Sequence, residues 1–446
     1  MPQNSVFGPG GNVLAAFPAI RPLRGASTLK AGGRVVRSVW HLTGSPPERF
    51  RETETMNAPL IRRETQRGDA YRDEAGETLP GFLRAGSLGG TSGVAMPVLL
   101  RGRGAHVIDA DGNEYIDYVL ARGALPLGHA DDRVTAAVTK ASTKGIHPES
   151  AVDLALRLAE LLAVRLPGMR QVRWTATPTE ARLVAEATAR GHTKRELILD
   201  LDALRENGST APNTVVIESN RFEDLRDYLR NHAGRVAGIV IEPFRLRHGM
   251  IPWPAGYLSS LRSLCREHGI LLIFDESLTG LHVPPSQRAQ RIGIEPDLVI
   301  LGPSLGGGLP LAACVATGTH RLDVSSSVPA LLGVPLAAGV AVLQAANDPE
   351  FDDTLGTLAD RLDAGFCDVA DRLGMAPFHN RTGPIFRVQP EGVRDRAVFA
   401  RFHQAMLDRG ILLPPSPAEP WFLSLAHTPE MIDRTAEALR EALTNP

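Results

Sequence analysis

The stretch Ile270–Gly280 reads ILLIFDESLTG, and Pro296–Pro310 follows it as PDLVILGPSLGGGLP. Each combines a short apolar run, typical of a fully buried strand, with polar or glycine-rich residues that end it. Similar runs occur at Thr214–Ile217 and Gly238–Ile241, and a helical pattern such as Ala255–His268 separates strands of this kind. Because strands that alternate with helices form parallel sheets, the sequence predicts a doubly wound α/β domain whose ligand site lies at the carboxyl ends of the strands.

The chain divides into four segments of different composition. Residues 1–55 are rich in Gly, Pro, Ser and Arg, show no sustained helical or strand period, and are predicted to be a disordered extension. We expect residues 56–125 to form the N-terminal segment of a small domain. Residues 126–340 are predicted to form the large α/β domain, and residues 341–446 a C-terminal small α+β domain.

The composition of the 446 residues is that of an ordinary globular protein, with 43% hydrophobic and 22% charged residues and a net charge of -2. This charge balance argues against nucleic-acid binding through a basic surface. The apolar stretch Ile270–Phe274 is far shorter than the roughly 18 residues of a membrane helix. The cysteines, at 265, 314 and 367, lack disulfide or zinc spacing, so we expect no metal site and a cytoplasmic protein.

Several motifs resemble, in sequence order, those of the class III aminotransferases. They comprise the two stretches quoted above together with Arg101–Tyr118 (RGRGAHVIDADGNEYIDY), Leu127–Ala130 (LGHA), Val240–Pro243 (VIEP) and Leu412–Thr428 (LLPPSPAEPWFLSLAHT). The last of these is most similar to the glutamate-1-semialdehyde 2,1-aminomutase-like members. The resemblance covers about residues 75–443. It implies fold-type I of the pyridoxal phosphate (PLP) enzymes, with a parallel-rich large domain and a small α+β domain, normally as a homodimer with its active sites at the subunit interface.

The resemblance places Pro303 where the family has its Schiff-base lysine, in a pattern like LGKxxGGGLP. Proline has no amine, so it can neither form the internal aldimine nor shuttle a proton. A shifted alignment supplies no substitute, because the only lysines of the chain are at 30, 140, 144 and 194. The catalytic residues are therefore unknown, and Asp275, Glu276 and Glu419 are the candidates.

Part of a PLP site remains in the sequence. Asp275 matches the aspartate that pairs with the pyridine nitrogen of PLP, although a structural role at the strand end is equally open. Thr177 and Thr179 match the family's phosphate-binding turn, but Pro178 between them removes one N–H donor. Plain helix capping is the alternative for these threonines.

Two further family contacts to PLP are missing from the sequence. The Tyr-His-Gly loop that stacks on the cofactor should follow Glu196–Asp200, but the chain runs directly to the next strand. Pro329 and Ala330 replace the Gly-Thr that supplies a phosphate contact from the other subunit. We therefore expect no covalently bound cofactor, while PLP could still bind non-covalently.

Two arginines are candidate substrate contacts. Arg122 follows Ala121 where the family has Ser-Trp, and Arg247 lies near the position of the Asn that follows Glu-Pro. Guanidinium groups at strand ends suit a small carboxylate or phosphate ligand, although solvated surface arginines are the alternative. Glu419 matches a glutamate near the entrance to the aminomutase site, or it is a surface charge.

Three hypotheses for the function follow. The first is a diverged, cofactor-independent biosynthetic enzyme acting on a small anionic or amino-acid-derived substrate. The second is a non-catalytic pseudo-subunit or binding partner of an active aminotransferase, so that the chain forms a homodimer or a heterodimer. The third is a PLP-dependent aminotransferase or aminomutase that uses a non-standard lysine.

Overall fold

The computed structural model describes residues 66–78, 96–144, 151–201, 213–217, 221–246, 249–285, 292–322, 333–390 and 395–444. All of these residues belong to one compact unit, Ala58–Pro446. The predicted disordered extension, residues 1–55, lies outside the described residues.

The described strands, in chain order, are β1 Leu99–Arg103, β2 His106–Asp109, β3 Glu114–Asp117, β4 Met169–Thr175, β5 Leu197–Asp200, β6 Thr214–Val216, β7 Val236–Ile241, β8 Leu271–Glu276, β9 Leu298–Leu301, β10 Ala312–Thr317, β11 His379–Thr382, β12 Ile385–Val388, β13 Ile411–Leu412 and β14 Trp421–Phe422. The described helices are α1 Gln66–Thr78, α2 Asp132–Ser142, α3 Val152–Arg165, α4 Pro178–Thr193, α5 Phe222–His232, α6 Tyr257–His268, α7 Gly333–Ala346, α8 Pro349–Leu373, α9 Arg396–Asp408 and α10 Pro429–Thr444. None of these helices combines the length and the apolar composition that crossing a bilayer requires.

A seven-stranded sheet in the order β4-β10-β9-β8-β7-β5-β6 forms the centre of the molecule. Its strands are parallel except for β10, which pairs antiparallel with both neighbours. Every residue of β7 and β9 is buried, as expected for strands covered on both faces by helices. The predicted α/β domain with a parallel-rich sheet is therefore present.

Helices cover both faces of this sheet. The apolar side of α4, which includes Ala181, Val184 and Ala189, packs on Ile273 and Ile300 at one face. The helices α5 and α6 pack on the opposite face with the apolar side chains of β5, β7 and β8. The result is the three-layer arrangement in which parallel strands bury both of their faces.

The strand register brings several strand ends to one edge of the sheet. Asp275 pairs with Ile300 and Glu276 with Leu301 at the carboxyl ends of β8 and β9. The antiparallel strand β10 begins at the same edge, where Ala312 pairs with Thr175 at the end of β4. This is the edge at which open α/β sheets bind their ligands.

Two smaller sheets join distant parts of the chain. The strands β1, β2 and β3 form a sheet with β13, in which Ile116 pairs with Ile411 in parallel. The strands β11, β12 and β14 form a second sheet, and the helix α8 packs against α10 beside them. Residues from the predicted N-terminal segment and from the predicted C-terminal domain therefore share a sheet, whereas the domain bounds themselves stay predictions.

Three histidines are buried in the described part of the chain with a strongly shifted pKa, since burial lowers the pKa of each to about 4. His282 donates from Nε2 to the Gly123 carbonyl at 2.7 Å. His403 donates from Nε2 to the Leu413 carbonyl at 3.0 Å. His427 accepts at Nδ1 from the Ser424 N–H at 3.2 Å. Each imidazole is therefore neutral in the folded protein near pH 7.

We predict that stability falls steeply between about pH 6.5 and pH 4. The unfolded chain binds protons at an ordinary histidine pKa of about 6.5, whereas the folded chain resists them until about pH 4, so acid favours unfolding across this window. The three histidines together predict a loss of about 5 kcal/mol between pH 7 and pH 5. Urea unfolding at a series of pH values measures this slope.

The same series of unfolding measurements separates the contribution of the histidines to the pH dependence of stability from that of the carboxylates. Burial raises the pKa of Asp297, but hydrogen bonds from Arg262 and from the Leu272 N–H outweigh this and hold the pKa below its ordinary value. Protonation of Asp297 therefore reduces the free energy of unfolding only below about pH 4. An unfolding free energy that is flat from pH 7 to pH 5 would contradict the histidine prediction.

Candidate active site at the carboxyl edge

The ends of β8 and β9 form the centre of the candidate site. A Cβ added to Gly302, which follows β9, would lie 1.9 Å from the Ser277 carbonyl oxygen, so the two chain segments touch through their backbones. Asp275 is half-buried here, and its Oδ1 accepts a hydrogen bond from the Ser277 N–H at 3.0 Å. The Glu276 side chain is buried. The structure thus brings Asp275 and Pro303 to adjacent strand ends.

Pro303 opens a short 3-10 turn, Pro303–Gly306, directly after β9. This is a position that proline tolerates, because the first residues of a helical turn have no acceptor for their N–H groups. Gly307 and Gly308 follow with φ of 54° and 99°, and a Cβ on either would come within 2.9 Å of a packed side chain. The glycine run is therefore a tight turn against the core.

The start of α4 satisfies its own backbone donors. Thr177 Oγ1 accepts from the Glu180 N–H at 3.2 Å, and Glu180 Oε2 accepts from the N–H groups of Thr177 at 3.2 Å and Ala176 at 2.8 Å. This reciprocal pattern is a capping box, in which the Thr177 side chain caps the backbone N–H of Glu180 and the Glu180 side chain caps the backbone N–H of Thr177. Pro178 contributes no N–H, and Thr179 is exposed at the surface of this turn. Thr177 therefore acts as a helix cap in this structure.

A left-handed turn, Leu120–Gly123, carries the candidate residue Arg122. The residues Leu120, Ala121 and Arg122 have φ of 46°, 51° and 59°, a conformation that costs each non-glycine residue about 1–2 kcal/mol. Gly123 lies so close to the Phe422 ring that a Cβ there would be 2.5 Å from it, and His282 donates a hydrogen bond to the Gly123 carbonyl; these two contacts fix the turn. Strained backbone that the surroundings enforce is concentrated at functional sites.

Arg122 and Glu419, which are far apart in the sequence, come together in the structure. Arg122 Nη2 lies 3.8 Å from Glu419 Oε1, with 56% of the arginine side chain and 28% of the glutamate side chain exposed. The pair is therefore reachable from solvent. The other arginine candidate, Arg247, lies outside the described residues, as do Pro329 and Ala330.

A cavity of about 420 Å³ opens beside the end of β7, between the loop that leads to α6 and the strand β11. Its lining combines apolar and polar side chains, among them Phe244, Met250, Trp253, Asn380 and Arg381. The volume is within the range of small-molecule sites. Met250 packs in the same apolar cluster as Leu120, so one cluster connects the cavity wall to the left-handed turn.

Two features of the site were not predicted from the sequence. Arg182 on α4 donates to Asp200, at the end of β5, at 2.6 Å and to Glu186 at 2.8 Å, which fixes α4 to the carboxyl edge. The only sequence signal was the four-residue spacing of Arg182 and Glu186. The cation–π contact of Arg245 with Trp253, at 4.4 Å from the ring centroid, has no sequence signature.

We predict that Arg122→Gly stabilises the protein by about 0.5–1 kcal/mol, because glycine removes the left-handed strain at a smaller entropic cost. Arg122→Ala is the matched control, since it removes the same exposed ion pair but keeps the strain, and it should change stability by about 0.5 kcal/mol or less. Urea unfolding of the two variants at one pH makes the comparison. Equal stability of the two variants would show that the turn stores no strain.

Comparison with known proteins agrees with this geometry. The family model "Aminotransferase class-III" matches residues 91–203 and 209–439. Glutamate-1-semialdehyde 2,1-aminomutase of Thermomicrobium roseum is 36% identical over 388 residues, covering 78% of this chain and 90% of the relative. Glutamate-1-semialdehyde 2,1-aminomutase 2 of Bacillus licheniformis is 32% identical over 419 residues, with coverage of 84% and 97%.

Solved structures show the same fold. An omega-transaminase from Sphaerobacter thermophilus superposes with a TM-score of 0.74 at 27% identity, covering 84% of this chain and 98% of that chain. A glutamate-1-semialdehyde aminomutase from Pseudomonas aeruginosa PAO1 gives a TM-score of 0.73 at 22% identity, with coverage of 86% and 95%. The architecture is thus fold-type I of the PLP-dependent aminotransferases, and the chain belongs to the class III aminotransferase family.

Proposed function

We propose that this chain is a diverged class III aminotransferase that performs no Schiff-base chemistry and acts as a cofactor-independent enzyme on a small anionic or amino-acid-derived substrate. The observation that carries the proposal is Pro303 at the end of β9. It stands one residue beyond Gly302, beside the Asp275 strand end, and it has no amine. A lysine there would be required for a covalent bond to PLP.

The positions of the described lysines support this proposal. Lys140 and Lys144 line a groove of about 490 Å³ between α2 and α7, formed by helices and not by the strand ends. Lys194 caps the far end of α4, whose 16 residues span about 24 Å. None of these three amines occupies the Asp275 edge, which argues against a non-standard lysine among the described residues. Lys30 lies outside them.

The start of α4 fits the phosphate of PLP poorly. The N–H groups of Ala176, Thr177 and Glu180 already have acceptors within the turn, and Pro178 offers none. Asp275 could still pair with a pyridine nitrogen, so these residues support at most a weak, non-covalent association with PLP.

The exposed arginine and the cavity support an anionic ligand. Arg122 already faces a carboxylate, that of Glu419, at the long distance of 3.8 Å, so a ligand carboxylate could replace it with a shorter, bidentate contact. Asp275 is the carboxylate that we assign to proton transfer, because it is half-buried at the strand edge whereas Glu276 is buried. Glu276 is then a buried group beside it, and Glu419 is a positioning group for Arg122.

Exposed apolar side chains on α3 favour association with a second chain. Val152, Leu156 and Val164 are each about 60% exposed, and Leu183 on α4 is 50% exposed. Val152 and Leu156 are one helical turn apart on α3, and exposed apolar side chains that lie together mark interaction surfaces. We propose that the chain forms a homodimer. A heterodimer with an active aminotransferase, in which this chain is a non-catalytic subunit, is the second candidate that the same surface supports.

We predict that Pro303→Lys restores no efficient transaminase. The new amine could react with PLP, but the capped turn at Thr177–Glu180 would still hold the phosphate poorly, and misplacement of about 1 Å costs roughly a hundredfold in rate. Absorbance spectra of the wild type and the variant with added PLP, followed by a half-reaction with amino donors, measure this. Pro303→Ala is the control without an amine. Stoichiometric PLP binding with fast amine transfer in the lysine variant would instead indicate a recently inactivated transaminase.

We predict that Arg122→Ala weakens the binding of glutamate or glutarate by about 10- to 100-fold, the loss of one charge-assisted contact. Arg133→Ala is a matched control, because Arg133 is similarly exposed and pairs with Asp131 on another part of the surface. Ligand-induced thermal stabilisation provides the measurement, and mass spectrometry of the purified protein would identify any co-purified ligand. An identical ligand response in the wild type and both variants would place Arg122 outside the site.

A further inference from the structure

The side chains of Asp363, Cys367 and His379 meet at the surface of the C-terminal part of the chain. One potential ligand atom from each of the three lies within 4.8 Å of the others. Asp363 and Cys367 are one helical turn apart on α8 and share a face, while His379 is the first residue of β11. We propose that these three residues bind a Zn²⁺ ion that links α8 to the sheet β11-β12-β14.

The chemistry of the three ligands selects the metal. A thiolate, an imidazole and a carboxylate are the groups that zinc binds, whereas Mg²⁺ and Ca²⁺ take oxygen ligands only. Tetrahedral zinc with bonds of about 2.0–2.3 Å places its ligand atoms about 3.3–3.6 Å apart. The three ligand atoms now lie within 4.8 Å of one another, so small side-chain rotations would bring them to tetrahedral distances. Solvent can supply the fourth ligand, because Cys367 is exposed.

The histidine is held in the orientation that the site needs. His379 Nε2 lies 2.7 Å from Asp363 Oδ1, and only 7% of the imidazole is exposed. The ring packs against Phe366 and Phe378, with centroids 5.2 and 5.8 Å away. Nε2 is therefore the nitrogen directed at the carboxylate, and a zinc ion would take the place of the proton that the two groups share.

The neighbouring charge favours a cation. Partial burial, followed by the carboxylates of Asp363 and Asp371, raises the pKa of the Cys367 thiol, so a bound ion would have to displace its proton, while the same carboxylates attract the cation. Cys265 and Cys314 are buried, so Cys367 is the cysteine of this chain that an ion in solution can reach. The sequence alone predicted no metal site, because the three cysteines have no zinc spacing and the cluster with Asp363 and His379 forms only in the fold.

The test uses the full-length protein, free of affinity tags and stripped of metal with a chelator, titrated with Zn²⁺ and, as a spectroscopic probe, with Co²⁺. We expect one ion per chain and a thiolate-to-cobalt charge-transfer band in the near ultraviolet. Cys367→Ser should abolish the band and weaken binding by at least the roughly 10- to 100-fold that the loss of a supporting group costs. Because Cys367 is exposed, this variant should fold normally.

Asp368→Asn is the matched control, since Asp368 lies on the same helix and is exposed but pairs with Arg372 instead of the cluster. It should bind Zn²⁺ as the wild type does. Asp363→Asn, which keeps the shape of the side chain, should weaken binding as Cys367→Ser does. The proposal is overturned if the wild type binds no ion, which would leave a simple His379–Asp363 pair, or if Cys367→Ser binds Zn²⁺ as tightly as the wild type.

Discussion

The contact between the ends of β8 and β9 determines where the groups of the candidate site can lie. No side chain fits at residue 302, because a Cβ there would overlap the Ser277 carbonyl oxygen at 1.9 Å. Gly280 is similarly confined, since a Cβ on it would lie 2.7 Å from Leu301. With both glycines in place, Asp275 and Pro303 emerge from adjacent strands at one edge. Wider strand spacing would separate them and open the edge to water.

A second constraint ties this edge to the rest of the chain. The left-handed turn Leu120–Gly123 is gripped by His282 from the segment after β8 and by the Phe422 ring of β14. The turn therefore exists only when three segments that are distant in the sequence have already met. Its strain is stored locally, whereas the packing that enforces it is spread over both smaller sheets and the large one.

Much of the fold could be predicted from the sequence, because each buried parallel strand corresponds to a short apolar run of consecutive residues. The apolar runs at Ile270–Phe274 and Gly238–Ile241 became β8 and β7, and the helical pattern at Ala255–His268 became α6. The family motifs likewise predicted the position of Asp275 at a strand end. These elements are specified by residues close together in the chain.

The remaining parts of the site could not be predicted in this way, because they depend on contacts between distant residues. Nothing near Arg122 in the sequence indicates a run of left-handed residues, since such a run is unfavourable by every local preference. Arg122 pairs with Glu419, and His379 meets Asp363 and Cys367, only after separate segments of the chain have come together in the fold. The domain bounds at residues 125 and 340, the dimer and the absence of a covalent cofactor stay predictions.

The capping box at the start of α4 also bears on how a cofactor can be lost from such a fold. In a turn that relies on a bound phosphate, removal of the anion leaves several N–H groups without acceptors and weakens the helix. Here Thr177 and Glu180 already supply those acceptors from within the chain. The N–H groups of Ala176, Thr177 and Glu180 therefore have acceptors without an external anion, so the loss of a bound phosphate would leave few unsatisfied donors at this helix start.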